Sequence, residues 1–463
     1  MSESDLIENV TYDELHIGQS ATLQRTLTNA DIQAFALVSG DVNPAHVDPA
    51  YANGTRFHGV IVHGMFAGAL ISTVLGTEFP GPGTIYMSQS LKFERPVRVG
   101  DTLTVKVTVR SKEDAHRNVV LDCEVSNQAG ERVVSGEAGV RAPLEKVVRP
   151  RAHLPTMHLF EPEARLDAWI ASLTGAPPLR CAVVHPCDDG SLRGALEAAE
   201  HGLIVPVLVG PRARLAAVAE AGGLSLAGIE LVDTAHSHAS AAQAVALAAE
   251  GKVAMLMKGS LHTDELMEAV VNEHRLRTER RMSHVFRFEV PAYAKPLLVT
   301  DAALNITPDL TAKADILRNV IDLAHALGVP APKVALLSAV ETVSPRIPST
   351  VDAAALCKMA DRGQITGAVL DGPLAFDNAI SADAARIKGI VSPVAGQADI
   401  LMVPDLEAGN MLAKQLEYLA GASSCGVVLG ARVPIALTSR ADTPTSRMAS
   451  AALAMMAARS QTA

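Results

Sequence analysis

Two fold classes follow one another along this chain: an α+β domain up to about residue 142, then an α/β region from about residue 166 to the end. Three observations predict this split. Period-two alternation marks the first part, as in Leu103-Thr104-Val105-Lys106-Val107-Thr108-Val109-Arg110, which buries one face of a strand and wets the other. The stretch from His63 to Gly76 is apolar nearly all round, so the helix it forms belongs inside the domain, covered on several sides. Beyond residue 180, short runs that are apolar at every position alternate with helical patterns, as in a mainly parallel sheet buried on both faces.

Each element has its own signal. A helix opens at Thr28-Asn29, runs through Ile32, Phe35 and Val38, and stops at Gly40, a capping residue at one end and a left-handed stop at the other. After the apolar helix come strands at 103–110, 119–125 and 132–140, with turn residues from Asn127 to Gly130. An antiparallel sheet curled round one buried helix satisfies all of these. Residues 143–165 hold three prolines beyond Pro143, mixed charge and no clear period, and read as a linker. Apolar strands follow at 181–184, 204–209, 253–257, 334–337, 400–403 and 433–437, with helices from about Ser191 and from about Thr445.

The 463 residues suggest about three compact units at roughly 150 residues per domain. The net charge is −10, with −5 on residues 1–150 and −5 on the remainder. Such a surface offers nothing to a phosphate backbone, so nucleic acid is not an expected partner. The five cysteines are scattered without CxxC spacing, which speaks against a disulfide framework or thiolate zinc site and for a reducing compartment. The acidic start MSESDLIENV lacks the features of a signal peptide, and no apolar run reaches membrane-spanning length. The expectation is a soluble, cytoplasmic protein.

Two constellations carry chemistry. The first is Asp41-Val42-Asn43-Pro44-Ala45-His46, which sets a carboxylate and an imidazole on a proline-fixed turn. That spacing suits an acid/base pair sharing one water; it equally suits ordinary turn formers beside a solvated histidine. Next to it, His63-Gly64 opens the apolar helix, whose free N–H groups are placed to polarise a carbonyl oxygen. The second is Thr438-Ser439-Arg440-Ala441-Asp442, at a strand's carboxyl end before a helix, where ligands bind in open sheets. An arginine fork and a helix N-terminus suit phosphate; a helix cap with a surface ion pair has the same residues. Neither GxxxxGK[ST] nor GxGxxG occurs, so a P-loop kinase and a Rossmann dehydrogenase are not supported. His236 and His238 form an HxH pair with no completing ligand nearby, and no metal site is expected.

FALVSGDVNPAHVDPAYA, GVIVHGMFAGALISTVLG and PGPGTIYMSQSLKFERPVRVGDTL closely resemble the MaoC-like, (R)-specific enoyl-CoA hydratases over about residues 10–142. The resemblance implies a hot-dog fold and pairing of hot-dog units. It implies that Asp41 and His46 activate water for addition to a trans-2-enoyl-CoA, that Asn43 orients the dyad, and that the Gly64 N–H holds the thioester oxygen.

From about residue 165 onward, MLMKGSLHTDELMEAV, LLVTDAALNITPDLTAKADILRN, GAVLDGPLAFDNAIS, VAGQADILMVPDLEAGNMLAKQLEYLAG and PIALTSRAD resemble, in order, the phosphate acetyl/butyryltransferases. That implies two α/β subdomains flanking a cleft, usually in a homodimer, and reversible conversion of acyl-CoA and phosphate to acyl phosphate and CoA. Ser439 would hydrogen-bond the CoA sulfur and Arg440 would bind the phosphoryl group. Acetyltransferases carry an aspartate seven residues after the serine, where this chain has Ser446; Asp442 becomes the candidate base. Lys258, Asn305 and Asn410 fall in motifs that line the cleft, although a lysine at a strand end also suits a snorkelling surface position.

The domain reading is therefore a hot-dog hydratase domain over 1–142, a linker over 143–165, and a transferase domain over 166–463. The expected function is bifunctional, with CoA thioesters and phosphate as substrates, no tightly bound cofactor, and a homodimer or higher homo-oligomer. The alternative is a phosphate acyltransferase with a non-catalytic hot-dog module for acyl-CoA binding or oligomerisation. Both halves handle CoA thioesters, and a tether raises the effective concentration of a shared intermediate.

Overall fold

The computed structural model describes residues 6–152, 163–173, 175–438 and 442–462, which divide into two compact units, Met1–Phe160 and Glu161–Ala463. In the first, five antiparallel strands form a sheet in the order Ser20–Thr26, Thr102–Glu113, Asn118–Ser126, Arg132–Arg141, Ile85–Phe93. The helix Gly64–Thr73 lies against this sheet and runs on through a wider turn, Val74–Glu78. Its Ala67, Leu70 and Ile71, with Val74 and Leu75, share one core with Val105, Val107, Leu121 and Val140.

The first helix matches its sequence signals. It spans Asn29–Ser39, with the Thr28 hydroxyl accepting from the Asp31 N–H and Gly40 closing it at φ 74°. The apolar helix, by contrast, is not covered all round within one chain. Met65 is 57% exposed, and beside it the edge strand shows Ile85, Met87 and Phe93 to solvent at 56%, 54% and 52%. This apolar face explains why the helix lacks a polar side.

The linker reading is corrected at its start. Val148–Pro150 forms a strand antiparallel to Leu6–Glu8. Asn9 joins the two ends: its fully buried amide donates to the Pro82 and Glu145 carbonyls at 3.0 and 2.8 Å and accepts from the Val147 N–H at 2.9 Å. Residues up to 150 are thus bonded into the first unit, by backbone pairing that composition does not reveal.

In the second unit, one eleven-stranded sheet holds two parallel blocks of opposite sense. One block is Glu230–Asp233, Ile204–Gly210, Leu179–Val184, Met255–Lys258 and Ile435–Ala436. The other is Leu297–Thr300, Ile400–Met402, Lys333–Leu337 and Val369–Leu374. Between them, Ser423–Leu429 and Ser283–Glu289 supply the antiparallel pairings that reverse direction. The helix Pro444–Thr462 packs into this unit by small residues; Ala449, Ala451, Ala452 and Ala454 are fully buried. Gly194 on a neighbouring helix leaves room for Arg447, which a Cβ there would approach to 3.0 Å.

Replacing Asn9 by alanine takes the partner from the Pro82 and Glu145 carbonyls and the Val147 N–H. This is expected to cost on the order of 2 kcal/mol or more and to lower the first unit's melting temperature by several degrees, as calorimetry of the full chain would show. An unchanged melt would mean that the 145–150 segment does not stabilise the unit.

Candidate active sites

In the first unit, the short helix Pro44–Val47 carries His46 and begins with proline at its first position, where the missing N–H costs nothing. Asn43 caps it: its Oδ1 accepts from the Ala45 N–H at 3.1 Å, while its own backbone N–H points to Asp41 Oδ1 at 3.3 Å. Asn43 therefore positions the turn. Its side-chain oxygen serves the cap, a position from which it orients the turn bearing Asp41 and His46.

His46 Nδ1 lies 2.7 Å from the Ile61 carbonyl oxygen. A carbonyl only accepts, so Nδ1 carries the proton and the lone pair of the neutral ring sits on Nε2. His63, almost fully buried, packs its ring 4.0 Å from that of His46 and bonds through Nε2 to the Asp41 backbone oxygen at 2.9 Å. One donor atom from each of Asp41, His46 and His63 lies within 4.8 Å of the other two, close enough for one water to bridge carboxylate and imidazole. Two imidazoles and a carboxylate also suit a divalent cation of the zinc type.

His46, His63 and Gly64 line a cavity of about 280 Å³ with Phe57, Phe93, Arg56 and Arg95. Gly64 opens the ten-residue helix, so its N–H has no partner within the helix and faces outward with the positive end of the dipole. A Cβ at Gly64 would come within 3.0 Å of the Phe93 ring, which is why glycine serves there. His63 was legible only as part of the His-Gly pair; its contact with Asp41 spans 22 residues.

In the second unit, Lys258, Asn410 and Asp442 line one cavity of about 420 Å³ together with His284, Phe286, Lys414, Glu417 and Thr438. Ser439 and Arg440 lie outside the described residues. Lys258 does not snorkel: it is 4% exposed and donates to the Thr438 carbonyl at 3.2 Å, while the Thr438 hydroxyl donates to the Lys258 carbonyl at 2.9 Å. Asn410, Lys414 and Glu417 share one face of the helix Leu406–Tyr418. That helix sits close because position 409 is glycine, where a Cβ would lie 2.7 Å from the Asp301 carbonyl oxygen.

Asn305 departs from the expectation. Its amide is consumed by Asp301 Oδ2 at 2.6 Å, the Met282 carbonyl at 2.9 Å and Arg281 Nε at 2.6 Å. It lines an adjoining cavity of about 550 Å³ with Arg277, Arg280 and Arg281. Asn305 thus braces the buried Asp301, whose other oxygen accepts from the Ala303 and Leu304 N–H groups. His236 caps the helix Ser237–Ala249 and His238 faces Glu265 at 3.4 Å, so that pair serves structure.

Two residues escaped the sequence reading. Arg447, 3% exposed, donates to the Thr438 hydroxyl at 3.2 Å and the Asp442 carbonyl at 3.3 Å, holding the chain on both sides of residues 439–441. His284 is fully buried on the cavity wall. The cysteines are free, and burial raises the thiol pKa of Cys123 to about 11 and of Cys357 and Cys425 to about 12, which makes them poor nucleophiles.

Comparison with known proteins follows this geometry. Residues 14–129 match the family model for MaoC like domains, and residues 238–455 match that for phosphate acetyl/butyryl transferases. The phosphate acetyltransferase of Rhizobium meliloti is 60% identical over 294 residues, 63% of this chain and 93% of that protein. The phosphate butyryltransferase of Clostridium acetobutylicum is 41% identical over 280 residues, 60% of this chain and 93% of that protein. Among solved structures, a branched-chain phosphotransacylase from Enterococcus faecalis V583 superposes with a TM-score of 0.54 at 30% identity, covering 60% of this chain and 99% of that one. The chain belongs to the phosphate acetyl/butyryltransferase family and carries a MaoC-like hot-dog domain ahead of its transferase fold.

Proposed function

We propose that this chain is a bifunctional CoA-thioester enzyme. Its first unit hydrates a trans-2-enoyl-CoA to the (R)-3-hydroxyacyl-CoA, and its second exchanges a short acyl group between CoA and phosphate. The tautomer of His46, fixed by the Ile61 carbonyl, supports the hydratase reading most directly. It leaves Nε2 as a base beside the Asp41 carboxylate, with the Gly64 N–H available for the thioester oxygen. As the oxygen of the shared water bonds to the substrate Cβ, its proton passes to the dyad, which delivers a proton to Cα. Substrate and product differ by one water, and charge developing on the thioester oxygen meets the helix dipole.

For the transferase, the meeting of Lys258, Asn410 and Asp442 in one cavity beside residues 439–441 supports the reading. A phosphate oxygen held by Arg440 attacks the carbonyl carbon, the C–S bond breaks, and Ser439 hydrogen-bonds the departing sulfur. Asp442 relays the proton that phosphate loses to the thiolate; in reverse it takes the thiol proton. No group beyond the two substrates is needed. The arginines of the adjoining cavity offer charge to the CoA phosphates.

We further propose that hot-dog units pair through the open face at Met65, Met87 and Phe93, since an exposed apolar patch of this kind marks an interface. A cytoplasmic location belongs to the same proposal, and the free cysteines support it. Among the described residues no helix is long and apolar enough to cross a membrane.

With crotonyl-CoA, Asp41→Ala is expected to lower the hydration kcat by about 10²–10⁴-fold. Absence of turnover in the wild type would leave the first unit as a binding or oligomerisation module. Arg440→Ala is expected to raise the phosphate KM about tenfold or more, measured by CoA release from acetyl- or butyryl-CoA. An unchanged KM would remove Arg440 from the site.

A further inference from the structure

His284 stands on the strand Ser283–Glu289 and is one of the residues around the cavity that holds Lys258, Asn410 and Asp442. It is 0% exposed, and among the described residues neither ring nitrogen has a hydrogen-bond partner. A buried imidazole with both nitrogens unsatisfied is costly, and nothing in the strand's pairing requires it. Its backbone N–H already donates to Asp301 Oδ2 at 3.1 Å, so the strand is anchored without the ring.

The surroundings select the kind of ligand. The rings of Phe286 and His284 pack edge to face with their centres 4.3 Å apart, and a Cβ at Gly426 would come within 2.7 Å of Nε2. Side chain and glycine together hold the imidazole in one orientation. Burial lowers its pKa to about 4, against the opposing pull of the Asp301 charge, so the ring is neutral near pH 7 and offers one N–H and one lone pair. A neutral imidazole polarises an oxygen without bringing a second full charge to a site already occupied by phosphate.

We propose that His284 donates a ring N–H to the carbonyl oxygen of the acyl group in this cavity and stabilises the oxyanion formed when phosphate attacks. The proposal rests on the cavity being the acyl-transfer site. It makes His284 a catalytic residue that the sequence motifs do not contain.

The test compares His284→Leu, which removes the donor, with His284→Gln, which keeps an N–H and cannot serve as a base. In phosphorolysis of acetyl-CoA, the Leu variant is expected to lose about 10²–10³-fold in kcat. Its phosphate KM should stay within about threefold, and the Gln variant should remain within about tenfold of wild type. With acetyl-CoA labelled with carbon-13 at the carbonyl, the infrared C=O band should move to lower wavenumber on binding to wild type and to the Gln variant. It should stay near its free position with the Leu variant. A Leu variant with wild-type kcat, or a Gln variant as impaired as Leu, overturns the proposal. Lys258→Ala and Asp442→Asn separate the two levels: if they abolish turnover while His284→Leu does not, only the donor role falls. If all three retain turnover, the cavity is not the acyl-transfer site and both readings fall. Should the Leu variant not fold, as judged by its melt, the Gln variant's turnover and band position decide.

Discussion

A buried guanidinium holds the transferase half's chemistry in register. Arg447 reaches from the first turns of the helix Pro444–Thr462 to the Thr438 hydroxyl, the Asp442 carbonyl and the Ser191 hydroxyl. Thr438 in turn exchanges hydrogen bonds with Lys258 on the neighbouring strand. Moving an arginine out of water is expensive, and only such a set of acceptors offsets it. The fork also fixes geometry, because its planar donors cannot serve three acceptors in any other arrangement. Through it, Thr438 and Asp442, on either side of residues 439–441, share one partner, and Thr438 is tied on to Lys258. Gly194, Gly409 and the alanines of the helix provide the close approach on which this depends.

The two sites are built on different scales. In the first unit, Asp41, Asn43 and His46 lie on one turn, and only His63 and Gly64 come from further along. In the second, Lys258, His284, Asn410 and Asp442 come from four separated stretches that meet at one cavity. The reversal of the sheet by two antiparallel strands brings these stretches together. A local site needs only a turn and a helix end; a distributed one needs the whole sheet and its rigid supports.

Legibility follows the same division. The helix at Asn29–Ser39 and the strands at Thr102–Glu113, Asn118–Ser126 and Arg132–Arg141 were readable because their signals are local: caps, glycine stops and period-two burial. The edge strand Ile85–Phe93 was not, since none of its residues is buried and its apolar Ile85, Met87 and Phe93 are exposed, so period-two burial is missing. Nor was Ser283–Glu289, where His284, Arg287 and Glu289 are buried in a strand that pairs on both sides. Polar residues in a β-rich run were the available clue, but their burial depends on strands that pair from 9 to more than 130 residues away. Asn305 shows the remaining limit. An amide in a motif is visible in sequence, whereas the atoms that consume its hydrogen bonds belong to the fold.

On the proposed function, the hydrogen bonds of Arg447 to Thr438 and Asp442 order the acyl-transfer site. The most direct test is the phosphorolysis rate of Arg447→Met, a substitution of similar reach without donors, read beside the variant's melting temperature. The account requires a loss of at least about 30-fold, the equivalent of about 2 kcal/mol, in a protein that still melts cooperatively. A folded Arg447→Met enzyme with wild-type turnover would contradict it.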